Sequence, residues 1–373
     1  MNIFDLLHEP IQLTPPIRIF EAFAGVGTQS MALKRITSDY EIVGYSEIDK
    51  YAIKSYHAIH GDVKDYGDIT KMTEIPPCDI FTWSFPCTDL SKAGKQKGMN
   101  ENTRSGLAYE VLRLVAVSKD KPKVLIMENV PDLIQEKFVR QFGEIQFELE
   151  KLGYMNYVET LNAKNYGVAQ NRNRVFMVSV LGDYSYSFPK WVKLDKRLKD
   201  YLEDEVDEKY YLSAKQLESI MNPKYESMGI DRVNEIDDVC NAITTMQGGN
   251  REPKVICNVN SSGHGMNGNV WAGDLAPTIT TNKGEGLRFF ENNILGTLRT
   301  TDAGGDKRII ENNLKIRKLT ALECFRLMGI SDEDFYKAQA VNSNSQLYKQ
   351  AGNAIVVDVF EAILRNMIKE KSK

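Results

Sequence analysis

The chain has 373 residues, 42% of them hydrophobic, with four histidines, five cysteines and a formal net charge of −4. That length accommodates two packed domains. No apolar run approaches the ~20 residues of a membrane span, the first residues lack the basic and apolar regions of a secretory signal, and five unevenly spaced cysteines without a Cys-x-x-Cys pair argue against a disulfide framework or a structural zinc site. In chain order, Ile17-Arg18-Ile19-Phe20 reads as a strand, followed by the turn Phe23-Ala24-Gly25-Val26-Gly27 and a helix over 28–36. Residues 41–46 read as a second strand and 49–60 as its helix. Residues 79–83 and 123–127 read as two more strands, with helical periodicity between them at 107–117. Residues 174–180 form one further apolar strand. This alternation predicts a doubly wound, Rossmann-like α/β sheet, whose ligands sit beyond the carboxyl ends of the strands.

After about Gly182 the texture changes: residues 190–316 are rich in Asn, Gly, Thr and charge. Three short β-like runs, at 242–245, 278–281 and 297–300, each lead into glycines, and such loops can approach a polymer closely. Regular helix returns at 320–328, where Thr320 and Glu323 make a capping-box pattern, and 354–369 reads as an amphipathic helix. Basic residues gather at Lys92, Lys95 and Lys97, at Arg172 and Arg174, and at Arg308, Lys315, Arg317 and Lys318. The negative total does not exclude a nucleic-acid partner, because a polyanion responds to the local field.

Several of these segments could carry chemistry. The glycine turn is Gly-x-Gly-x-x-Ser, short of the full dinucleotide fingerprint. Glu47 ends the second strand, where an acid can accept from ribose hydroxyls, and Asp68 could bond an adenine amino group. This fits an adenosyl cofactor, against the plainer reading of a structural turn with surface acids. Cys87, in Phe85-Pro86-Cys87-Thr88-Asp89-Leu90, follows a strand end. A buried cysteine is usually inert, but a thiolate is a strong nucleophile and can add to C6 of cytosine, making C5 electron-rich. That addition needs an acid near N3, and Glu128 at a neighbouring strand end suits the part. Arg172 and Arg174 alternate along a strand start, so their side chains should point the same way, toward the cytosine O2 and Glu128.

Taken together, Phe-Ala-Gly-Val-Gly from Phe23, Phe-Pro-Cys-Thr-Asp-Leu-Ser from Phe85, Met-Glu-Asn-Val from Met127, Gln-Asn-Arg-Asn-Arg from Gln170, Arg-Lys-Leu-Thr-Ala-Leu-Glu-Cys from Arg317 and Gln-Ala-Gly-Asn-Ala from Gln350 resemble the bacterial and phage cytosine-5 DNA methyltransferases. The resemblance implies a catalytic domain over 1–185 and 317–373, with the final helix returning beside the first motif, and a small, mostly β target-recognition domain over 186–316. It implies S-adenosyl-L-methionine as methyl donor and double-stranded DNA as substrate, with the cytosine flipped out of the helix. Carried over by position, Cys87 is the nucleophile, Glu128 contacts N3 and the exocyclic amine, and Arg174 contacts O2 with Arg172 alongside. Phe23, Gly25, Val26, Gly27, Glu47, Ile48, Asp68, Ile69, Pro86, Leu107, Asn353 and Ile355 line the cofactor site.

The loop 88–99 would close over the base. Thr88, Ser91 and Lys92 in that loop, together with Gln247, Gly248, Lys283, Thr297, Leu298 and Gly304, are the candidate DNA contacts. Two departures are visible: Thr88 stands where many members carry Gln, and Ile48 where some carry Trp. A tRNA cytosine methyltransferase and a catalytically silent DNA binder are the rival readings, and the long 186–316 stretch favours a reader of duplex DNA. The remaining expectations are a monomer in the bacterial cytoplasm, no membrane or metal, and a cognate restriction endonuclease as a possible companion.

Overall fold

The molecule is organised around a six-stranded mixed sheet. Its computed structural model describes residues 8–86, 106–213, 216, 233–234, 236–245, 253–258 and 314–369. The strands are β1 (Ile17–Ala22), β2 (Tyr40–Ser46), β3 (Ile80–Trp83), β4 (Val124–Asn129), β5 (Tyr154–Asn162) and β6 (Asn173–Leu181), in the spatial order β2-β1-β3-β4-β6-β5. The first four are parallel, whereas β6 runs antiparallel to both β4 and β5. The chain leaves β1 toward β2 and returns on the other side of β1 as β3, so the switch point, where such sheets bind ligands, lies between β1 and β3.

The inner strands are apolar on both faces, as parallel strands covered by helices must be. Alternation divides their side chains between two cores. Ile17, Ile19, Ile80, Val124 and Ile126 enter one core, with Leu33 from α1 (Thr28–Ile36) and Phe360 and Ile363 of the last described helix. Phe20, Phe81, Trp83, Leu125 and Met127 enter the other. Its cover is Val111 and Leu114 from α3 (Leu107–Val117), which follows α2 (Lys50–His60), and Phe142, Ile145 and Leu149 from α4 (Val139–Lys151). The edge strand β5 and helix α4 were not anticipated. Six of the nine residues of β5, 155–160, are only partly covered or exposed, so this edge strand carries little hydrophobic signal.

The C-terminal part comprises α5 (Ala321–Arg326), α6 (Asp332–Gln339), α7 (Asn344–Asn353) and α8 (Val357–Arg365). Thr320 caps α5 in the expected box with Glu323. Glu323 also forms a fully buried pair with Arg317, its Oε1 2.7 Å from Arg317 Nη2. Arg317 lies in β8 (Leu314–Lys318), antiparallel to β7 (Lys254–Asn258). The expected 354–369 helix is shorter than its pattern suggested, because residues 354–356 are extended. Helix α8 packs along α1, with Arg35 Nη1 3.2 Å from Glu361 Oε2. The first of the expected β runs also differs: Cys240 and Asn241 form a two-residue strand parallel to Gln170 and Asn171, and 242–245 are irregular. Side chains take the place of a ladder there, since Ile243 N donates to Gln170 Oε1 and Ile243 O accepts from Arg172. The runs at 278–281 and 297–300 lie outside the described residues. Among the described residues, no helix is long and apolar enough to cross a membrane.

Candidate active site

The glycine turn leaves β1 with Phe23, Gly25 and Gly27 all at positive φ (56°, 58° and 77°). Gly27 has no choice of side chain: a Cβ there would lie 2.3 Å from His60 Nε2 and 2.8 Å from Tyr56 Cε2. Gly25 is different, with nothing within 4 Å of its virtual Cβ, so its backbone borders open space. Glu47 Oε2 accepts from Gly25 N at 2.9 Å, and its Oε1 accepts from Ile48 N and Asp49 N at 2.8 and 2.9 Å. The end of β2 is thereby tied to the turn, and the carboxyl oxygens keep lone pairs for a further donor.

Beneath the turn lies a polar bed. Glu21, wholly buried in β1, accepts from Ser30 N at 2.9 Å and from the Tyr56 hydroxyl. Burial, reinforced by the Glu21 charge, pushes the Tyr56 phenol well above its usual range, so it stays a donor. His60 Nε2 is 3.0 Å from Val26 O, and a carbonyl can only accept, so Nε2 carries the proton. Burial holds the His60 pKa below its ordinary value. Glu21 interrupts an apolar strand and was the one sequence signal for this bed, a charged residue where the pattern calls for none.

The other cofactor candidates gather around the same edge. Asp68 caps a short 3₁₀ turn, its Oδ1 accepting from Thr70 N and Thr70 Oγ1 at 3.0 and 2.9 Å, and those bonds lower its pKa. Ser46 Oγ donates to Gly67 O at 2.7 Å, holding this loop against the end of β2. Ile69 is buried in the same apolar cluster as Phe85, and Phe23 and Leu107 pack against that cluster from the rim. Pro86 is half-buried, while Ile48, next to Glu47, stands 73% exposed. Helix α7 docks on the start of α2: Ser55 Oγ donates to Gln350 Oε1 at 2.9 Å, and Lys349 Nζ is 2.6 Å from Asp49 Oδ2. This docking leaves Asn353 exposed at the end of α7 and Ile355 buried just beyond.

The second half of the site is built at the ends of β3, β4 and β6. Because β6 is antiparallel, its first residues share an edge with the last residues of β4, and Val175 pairs with Asn129. Arg174 Nε is 2.9 Å from Glu128 Oε1, both side chains largely buried. Arg174 Nη1 donates to Asn173 O at 2.7 Å, which orients the guanidinium. Asn129, whose role the sequence did not reveal, donates from Nδ2 to Phe85 O at 3.1 Å and so anchors the chain where it leaves β3. Cys87 itself lies outside the described residues, as do Thr88, Ser91, Lys92, Gln247, Gly248, Lys283, Thr297, Leu298 and Gly304. Cys78, Cys240 and Cys324 are buried, and burial pushes the Cys78 and Cys240 thiols up to about 12, which leaves them protonated and inert.

Arg172 corrects an expectation. It precedes β6, and its guanidinium does not join Arg174 on Glu128. Only 3% exposed, it donates to Ile243 O at 2.7 Å, Gly352 O at 2.9 Å and Ala354 O at 3.0 Å. Two-residue alternation predicts a common direction only within a regular strand, and the strand has not begun at Arg172.

A sheet whose first four strands are parallel, with a glycine turn at its switch point and a carboxyl–guanidinium pair two strands away on the same edge, defines a doubly wound α/β protein with its ligand site at the carboxyl ends of the strands. The profile of the family C-5 cytosine-specific DNA methylase matches residues 17–369, and the chain belongs to that family. It is 33% identical to the orphan methyltransferase M.SPRI of Bacillus phage SPR, over 94% of this chain and 97% of that one. It is 30% identical to the type II methyltransferase M2.ScrFI of Lactococcus lactis subsp. cremoris, over 95% of this chain and 100% of that one. The fold is also that of the S. pombe Dnmt2 methyltransferase, with a TM-score of 0.64 at 18% identity over 93% of this chain and 97% of that one. The chain is therefore a DNA (cytosine-5-)-methyltransferase.

Proposed function

We propose that the protein methylates C5 of a flipped-out cytosine within a short specific sequence of double-stranded DNA, using S-adenosyl-L-methionine and Cys87 as a transient covalent nucleophile. The observation that carries this reading is the Glu128–Arg174 pair, 2.9 Å apart at the end of β4, on the edge that also holds the glycine turn. The adenosyl group fits the other half of the edge: Gly25 borders open space, Glu47 and Asp68 keep acceptor capacity for ribose and adenine donors, and Ile48 offers an exposed apolar face. Phe23, Val26, Gly27, Ile69, Pro86, Leu107, Asn353 and Ile355 complete that wall. The sulfonium supplies an electrophilic methyl group.

The thiolate of Cys87 adds to C6, and the electron pair displaced toward N3 is met by a proton from Glu128 while Arg174 holds O2. C5 would then accept the methyl group as S-adenosylhomocysteine leaves and the N3 proton returns to Glu128; loss of the C5 proton to a base would re-form the C5–C6 double bond and expel the Cys87 thiolate, restoring the aromatic ring. Approach to both faces of the base requires that it leave the stack. Asn129 contributes by fixing the backbone just ahead of Cys87.

Residues 186–316 serve as the target-recognition domain in this reading, with the catalytic domain formed by 1–185 and 317–373. Thr88, Ser91, Lys92, Gln247, Gly248, Lys283, Thr297, Leu298 and Gly304 contact DNA. A monomer working in the cytoplasm of a bacterium, in some systems beside a restriction endonuclease, suits the bacterial and phage origin of its relatives. Bisulfite sequencing of DNA from a methylation-free host expressing the chain, beside Cys87→Ser, tests the proposal. Cytosines protected at one short motif and lost in the variant are expected; no protection from folded, cofactor-binding protein overturns it.

A further inference from the structure

Arg172 is buried, yet it touches neither Glu128 nor the glycine turn. Its Nη1 donates to Ile243 O at 2.7 Å, in the stretch assigned above to target recognition. Its Nη2 donates to Gly352 O at 2.9 Å and Ala354 O at 3.0 Å, on either side of Asn353 in the cofactor wall. One rigid, permanently charged fork thus spans two segments far apart in the sequence, a geometry that an ammonium on a flexible stem cannot reproduce. Two further observations describe the same junction. Gln170 Nε2 donates to Leu327 O at 2.7 Å while its Oε1 accepts from Ile243 N at 3.1 Å. At Gly352, an added Cβ would lie 2.3 Å from Thr244 O and 2.5 Å from Thr245 N, so backbone meets backbone and only glycine fits.

We propose that Arg172 is a positioning residue that locks segment 240–245 onto the end of α7, so that DNA bound by the recognition region and cofactor bound beside Asn353 strengthen one another. The inference rests on the activity proposed above. A shift of segment 240–245 on binding DNA is transmitted through the Arg172 fork to the carbonyls flanking Asn353. By linkage, the effect of DNA on cofactor affinity equals that of cofactor on DNA affinity.

The test is calorimetric titration of S-adenosylhomocysteine into the full-length chain, alone and with saturating sheared unmethylated genomic DNA. DNA is expected to tighten the wild type by about fivefold or more, the lower end of typical coupling. Arg172→Met, which keeps bulk but donates nothing, and Gly352→Ala, which pushes residues 244–245 away, should each bring that ratio close to one. Arg172→Lys should restore part of it. A general loss of stability weakens both titrations together and leaves their ratio unchanged, so the ratio reports coupling rather than folding. A wild-type ratio of one, or a full ratio retained in Arg172→Met, overturns the inference; if Arg172→Met does not fold, a full ratio in Gly352→Ala does so. A wild type that binds no S-adenosylhomocysteine and methylates nothing fails the activity proposal instead, whereas methylation with coupling indifferent to Arg172 fails only this one.

Discussion

The two halves of the site are built from different materials. The glycine-turn half is made of backbone at positive φ, stabilised from below by Glu21, Tyr56 and His60, whose hydrogen bonds are spent inside the protein. The half at β4 and β6 is made of side chains, Glu128 and Arg174, and among the described residues Glu128 Oε2 and Arg174 Nη2 remain for a ligand. A rigid cradle suits a constant cofactor that must be held in one place. Side chains with unspent donors and acceptors suit a base that changes charge during the reaction.

This contrast predicts effects of different kind and size. Glu128→Gln keeps the shape but removes the proton that Glu128 would give in the proposed mechanism, and methyl transfer should fall by about 10³-fold, within the range of general acid catalysis, while S-adenosylhomocysteine affinity measured by calorimetry stays unchanged. Arg174→Lys replaces an oriented fork with a point charge and should lower kcat by ~10²-fold, the loss typical of one stabilising donor, with little change in the KM for cofactor. Equal losses of cofactor binding in either variant would merge the two halves and break the comparison.

On the cradle side the signature reverses. Gly27→Ala forces a methyl group into His60 and Tyr56 in a left-handed conformation, which should destabilise the fold by about 1–3 kcal/mol, read as a lower Tm, and weaken cofactor binding more than the chemical step. The smallest effect is expected from pH. His60 has a folded pKa below its ordinary value of 6.5, so the unfolded chain binds the extra proton first. Its contribution to stability is complete above about pH 6.5 and is lost as pH falls toward the folded pKa. Thermal melts from pH 7.5 to 5 should therefore show a steeper fall for the wild type than for His60→Gln; parallel curves would remove His60 from the bed of the turn.

Much of this architecture was legible in the chain. Continuous apolar runs marked β1, β3, β4 and β6, because strands buried on both faces admit few polar residues, and Thr320 with Glu323 marked the start of α5 because capping is a local interaction. The order of the motifs pointed to Glu128 and Arg174 and to the turn at Gly25 and Gly27, since chemistry constrains residue type and glycine is demanded where φ is positive.

The tertiary structure alone decided the rest. That β6 runs antiparallel, bringing Arg174 rather than Leu181 to the edge beside Glu128, depends on pairing between distant strands. That α7 docks on α2, and that Asn129 anchors Phe85 O, likewise needed the assembled fold. Arg172 and Arg174 show the limit most plainly: they are the same residue type two positions apart. Which one meets the carboxylate and which one joins three carbonyls was settled by where the regular strand begins and by what the fold packed around each guanidinium.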